Sequence, residues 1–134
     1  MKTKLLCLLA AVIAFDFLVT LIGQPAVYWV HPRTADEGNP VFRWFMFQGA
    51  PIYLLFIVAY IAGVILLVRS LSRQAALVTG LVFLLSHYFA ASTWLSFHFH
   101  LNMAGPAVYA LLLSLAAIWI LRPGDVNGCC ESGR

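Results

Sequence analysis

Four apolar stretches constrain what this chain can fold into more than any other feature: Leu5 to Ile22, Ile52 to Val68, Ala75 to Phe97 and Met103 to Leu121. Each is about 17 to 23 residues long, close to the roughly 20 helical residues that cross about 30 Å of hydrocarbon. Together they consume most of the 134 residues and leave no room for a separate soluble domain. With 63% hydrophobic and only 10% charged residues, a chain this short cannot hide its apolar side chains in one soluble core, because a small domain leaves much of its surface in water. The expectation is an all-α integral membrane protein, a four-helix bundle. Its single transmembrane domain covers residues 1–122, and a disordered cytoplasmic tail covers 123–134.

The net charge of +3 reports topology rather than a nucleic-acid partner. Lys2 and Lys4 precede the first span, Arg69 and Arg73 separate the second from the third, and Arg122 follows the fourth. The positive-inside rule then places both termini and the Arg69 to Arg73 loop in the cytoplasm, with the chain in a cell (inner) membrane. Lys2, Lys4 and the following apolar run resemble a signal peptide. The run is long, however, holds Asp16, and lacks a small-x-small cleavage site before Gln24, so a retained helix is expected.

Asp16 is the first anomaly in the apolar pattern. It lies about six residues, or roughly 9 Å, from the outer end of its span. An ionised carboxylate facing lipid there costs several kcal/mol, so it must face protein or water. Thr20 follows on the same helical face. The outer loop then carries Glu37-Gly38-Asn39-Pro40, in which Asn39 suits an N-cap and Pro40 a first helical turn. A short interfacial or re-entrant helix is expected from Pro40 to about Gln48, rich in Phe42, Trp44, Phe45, Met46 and Phe47. Glu37 stands just before it, where a negative charge favours the helix N-terminus. Tyr28 and Trp29 have the amphipathic character of membrane-surface residues.

The third span supplies the facing groups. Gly80, His87, Ala91, Trp94 and His98 recur at helical spacing and share one face, which a lipid-exposed helix has no use for. With the third span running outward, His87 sits near mid-membrane or in the outer half and His98 at the outer mouth. A polar pocket of Asp16, Thr20, Glu37, Asn39, His87 and His98 is therefore expected in one leaflet, since intramembrane ionisable residues are functional candidates by default. In the second span Tyr53 and Tyr60 share a face, and Tyr53 is placed to meet Asp16 or a histidine. In the fourth, Ala110, Ser114 and Ala117 form a small-residue ridge suited to close helix contact.

His and carboxylate ligands suit zinc or non-haem iron, so Asp16, Glu37 and His87 are candidate ligands of a divalent metal. His87 and His98 lie about 16 Å apart along a helix and cannot share one ion. Haem is disfavoured, because no second histidine stands on another span at matching depth. HExxH, GxSxG and Walker A motifs are absent. Cys7 lies in a span and Cys129 with Cys130 in the reducing tail, so no disulfide framework is expected.

Asp16 with Thr20, then Glu37-x-Asn39-Pro40 after a short outer loop and His87 in the third span, resembles a loosely defined group of small prokaryotic four-span membrane proteins of unknown function. The resemblance covers the first 40 positions and His87. It implies that Asp16, Glu37, Asn39 and His87 form a unit, and it implies no activity.

Three function classes follow. The first is a homo-oligomeric or complex-bound module that binds or transports protons, ions or a small polar ligand through Asp16 and His87. The second is a metal-dependent intramembrane enzyme acting on lipid or peptide, and the third an accessory subunit whose polar groups only secure packing.

Overall fold

The computed structural model describes residues 2–121, and the regular structure among them is entirely helical. The tail expected to be disordered, with Cys129 and Cys130, lies outside the described residues, as does Arg122. Five α-helices follow in order: α1 (Lys2–Ile22), α2 (Pro40–Phe47), α3 (Ala50–Ser70), α4 (Arg73–Thr93) and α5 (Ala104–Leu121). Short 3-10 turns at Ala26–Trp29 and Pro32–Thr34 lie between α1 and α2, and a π turn at Trp94–His98 extends α4. Three helical segments are long and apolar enough to cross a membrane: Thr3–Ile22, Ala50–Ser70 and Arg73–His98. Ala104–Ile118 is a shorter apolar helix.

The helix boundaries follow local chemistry. α1 ends where Gly23 N–H donates to Val19 C=O at 2.9 Å and Pro25, lacking a donor, stops propagation. Asn39 caps α2, its Oδ1 accepting from Val41 N–H at 2.9 Å and Phe42 N–H at 3.4 Å. Gly49 adopts φ +95°, a conformation most L residues avoid, and this lets α3 start with only two residues between it and α2. Ser72 caps α4 through Ala75 N–H at 3.4 Å. The chain leaves the π turn through His100 and Asn102, both at positive φ.

α1 is the central helix and packs chiefly against α4 and α3. Its Leu5, Leu9, Val12, Ile13, Phe17 and Leu21 meet Tyr53, Ile57, Val64 and Val68 of α3 and Ala76 and Leu84 of α4 in one core. Between helices surrounded by lipid, close packing replaces the hydrophobic effect as the driving force, so small residues matter at the contact. Gly80 of α4 illustrates this: a Cβ there would lie 3.2 Å from Leu5 Cδ2.

α2 buries Met46 fully and presses Phe42 and Phe45 onto the core, with Phe45 stacked on Phe56 of α3 at 4.0 Å. Its other face, Val41, Arg43 and Trp44, is exposed. Two expectations for flanking residues need correction. Tyr28 is buried, its hydroxyl donating to Met46 C=O at 3.4 Å, whereas its neighbour Trp29 is exposed. The ridge Ala110, Ser114 and Ala117 is not a buried seam: Ser114 is exposed and its hydroxyl donates back to Ala110 C=O at 2.8 Å.

Candidate functional site

One face of α1 and one of α4 bring two buried ionisable residues together. Leu9, Ile13, Phe17 and Thr20 recur on α1 with Asp16 beside them. Gly80, Leu84, His87, Ala91 and Trp94 line the buried side of the α4 segment. Asp16 and His87 are both buried, at 4% and 5% exposure. His87 Nδ1 lies 2.7 Å from Asp16 Oδ2, and His87 Nε2 lies 3.3 Å from the Tyr60 hydroxyl.

With its proton on Nδ1, His87 donates to the carboxylate and accepts from the phenol; as imidazolium it donates to both. Carboxylate, imidazole and phenol thus form a line along which a proton can pass, anchored on three different helices. The second oxygen of Asp16, Oδ1, is buried without a hydrogen-bond partner.

These groups border a cavity of about 390 Å³, which also touches Thr20, Glu37, Gly38, Asn39, Ser86, Thr93 and Trp94. Phe17, Phe42 and Tyr60 form one aromatic wall, with ring centroids 5.1 to 5.8 Å apart and planes inclined at 60 to 81°. Another boundary is the loop ahead of α2. Glu37 Oε1 accepts from Asn39 N–H at 2.7 Å, which preorganises the N-cap rather than capping the helix itself. Burial pushes the Glu37 carboxyl up from its ordinary value. The charges of Asp16 and Asp36 act the same way, while Asn39 N–H and Arg43 oppose the shift.

Gln24 holds that loop in place. Its Oε1 accepts from Asp36 N–H at 2.7 Å, and its Nε2 donates to Asp36 C=O and Thr20 C=O, each at 3.0 Å. A glutamine at the end of a helix gives no sequence signal of such a role; only the position of residue 36 reveals it. Gly23, one residue earlier, makes room for Trp94, since a Cβ there would meet Trp94 Cε3 at 2.7 Å.

Of the six residues expected in the pocket, Asp16, Thr20, Glu37, Asn39 and His87 line the cavity and His98 does not. His98 falls one turn beyond Trp94, past the cavity edge. Its ring stacks on Trp94 at 3.8 Å, and its Nε2 lies 3.7 Å from Asp36 Oδ2. Tyr53, expected to meet Asp16 or a histidine, also needs correction: its hydroxyl is buried without a partner, and Tyr60 takes the histidine instead. The expected metal set is not assembled either. Among the described residues no three His, Cys, Asp or Glu side chains gather closely enough to hold an ion. Glu37 turns to the Asn39 backbone while Asp16 and His87 pair with each other.

Among the described residues, fold and site define a helical protein with three helices of membrane-crossing length and a part-open cavity, bordered by the buried Asp16 and His87, against the central one. No protein-family model matches the chain, nor does any curated protein or solved structure.

Proposed function

We propose that this is a multi-pass protein of the inner (plasma) membrane that crosses it four times with both termini cytoplasmic. It binds or transports protons, ions or a small polar ligand through a pocket in the outer half. One observation supports this reading above the others: Asp16 and His87, from separate helices, are buried together at 2.7 Å on the wall of a shared cavity. Ionisable groups at membrane depth are expensive to bury, and apolar side chains of similar volume pack at no such cost. Four short helices enclose little volume, so the working form is a homo-oligomer or part of a larger membrane complex.

Reconstitution into liposomes tests the reading. Proton or ion flux, or saturable uptake of a polar solute, is expected from the intact chain and should fall at least tenfold in Asp16→Asn and His87→Ala. Folded variants with undiminished flux, or an intact chain with no flux whose variants lose only stability, would reduce the pair to a packing device.

A further inference from the structure

The cavity beside Asp16 has a charge and a lining that select among small ligands. Its lining residues include the carboxyls of Asp16 and Glu37, the imidazole of His87 and the phenol of Tyr60, and no lysine or arginine. With both carboxylates ionised, the lining carries a charge of minus one if His87 is an imidazolium and minus two if it is neutral. Arg43, which acts electrostatically on Glu37, is exposed and does not line the cavity.

Two further observations bear on what fills this space. Asp16 Oδ1 is buried, with no hydrogen-bond partner among the described residues, so the negative charge of this carboxylate is incompletely compensated next to the cavity that Asp16 lines. Phe42 and Tyr60, both half-buried, supply ring surface to the lining, while Phe17 and Trp94 border it almost wholly buried, and the electron-rich faces of such rings attract cations. An inorganic cation prefers a shell of oxygens; the lining combines carboxylate and hydroxyl oxygens with apolar ring surface, which such an ion leaves unused. An alkylated ammonium ion satisfies both features at once: its charge meets the carboxylates and its methyl groups meet the rings. The volume, about 390 Å³, falls at the lower end of small-molecule sites, roughly 300 to 1,000 Å³.

We infer that the cavity bounded by Asp16, Glu37 and the Phe17–Phe42–Tyr60 wall is a binding site for an alkylammonium group. The inference rests on the pocket reading above and narrows it to one ligand class. Free solutes and zwitterionic lipid headgroups both carry this group. Ser86, Ala90 and Thr93, exposed on the flank of α4, also border the cavity, so a headgroup has access from the side.

The test uses the full chain in a maltoside detergent, followed by calorimetry and thermal unfolding. Choline chloride serves as the free probe and 3,3-dimethyl-1-butanol as its uncharged isostere. Dihexanoyl phosphatidylcholine and phosphatidylglycerol serve as the lipid pair. Choline or phosphatidylcholine should bind saturably, and whichever binds more tightly identifies the source. Each should bind roughly tenfold or more tightly than its uncharged or anionic counterpart. Glu37→Gln, which keeps the Asn39 hydrogen bond, and Phe42→Leu should each weaken binding by a similar factor. Equal binding of choline and the isostere, with loss of both in Glu37→Gln, would overturn the ammonium class and leave the pocket standing. No response to any of the four probes, together with no Asp16-dependent flux in liposomes, would remove both.

Discussion

His87 Nδ1 and Asp16 Oδ2 lie 2.7 Å apart although 71 positions separate the two residues in the chain. The contact ties the first helix to the fourth, and both side chains are almost wholly buried. Removing one partner strands the other, which in buried pairs costs about 3 to 5 kcal/mol. His87→Ala is therefore expected to lower stability by about that much. Asp16→Asn retains an acceptor and should cost less. In a double-mutant cycle, Asp16→Ala with His87→Ala should lose less than the sum of the single changes, by about 1 to 3 kcal/mol. Additive losses in detergent unfolding would show that the pair is not coupled.

Gln24 holds the Asp36 backbone through both its donor and its acceptor. Gln24→Ala leaves three backbone groups, Asp36 N–H, Asp36 C=O and Thr20 C=O, to find water and is expected to cost about 1 to 3 kcal/mol. Amide exchange should rise at residues 36–39 while the α3 core stays protected. Unchanged exchange in that loop would contradict the role assigned to Gln24.

Gly23 and Trp94 form a steric pair at the cavity's edge. A methyl at position 23 would sit 2.7 Å from the indole, so Gly23→Ala must displace the ring. The expected loss is about 1 to 3 kcal/mol, the usual range for overpacking. Trp94→Leu introduced with it should recover part of that loss, measured by thermal unfolding. If the double variant is as unstable as the sum of the singles, the clash lies elsewhere.

Glu37 has a pH signature whose sign follows from its position. Burial holds its carboxyl above the ordinary value, so the folded state binds more protons than the unfolded state across the window between the two values. Stability tied to this group is therefore present at low pH and declines as pH rises through that window. Glu37→Gln removes the charge and keeps an acceptor for Asn39 N–H. Variant and parent should unfold at matching temperatures below the ordinary carboxylate range, and the variant should unfold at the higher temperature at neutral pH. A variant less stable than its parent at neutral pH would reverse the sign and show that the charge is stabilising.

Some of this was legible in the order of residues. Apolar runs of membrane length dictate helices, because a backbone in hydrocarbon must satisfy its own hydrogen bonds. Asn39-Pro40 marks a helix start through chemistry confined to a few neighbours, and α2 begins there. Periodicity singled out the face of α4 and its π turn that carries Gly80, His87, Ala91, Trp94 and His98; the first four are buried and His98 is exposed.

What neighbours cannot encode was decided by how the helices lie against one another. Counted at 1.5 Å per residue from the α3–α4 connection, Tyr60, His87 and Tyr53 stand at roughly 15, 21 and 26 Å, so the two phenols lie about equally far in depth from the histidine. Helix rotation and crossing assign His87 to Tyr60 and leave the Tyr53 hydroxyl unpartnered. The same holds for Gln24, whose partner lies in a loop 12 residues away, and for His98, which falls beyond Trp94 and meets Asp36 rather than the cavity. Local propensity and polarity determine that helices form and which faces avoid lipid. Which two polar groups meet depends on rigid-body packing set by many side chains at once, and that lies in the tertiary structure alone.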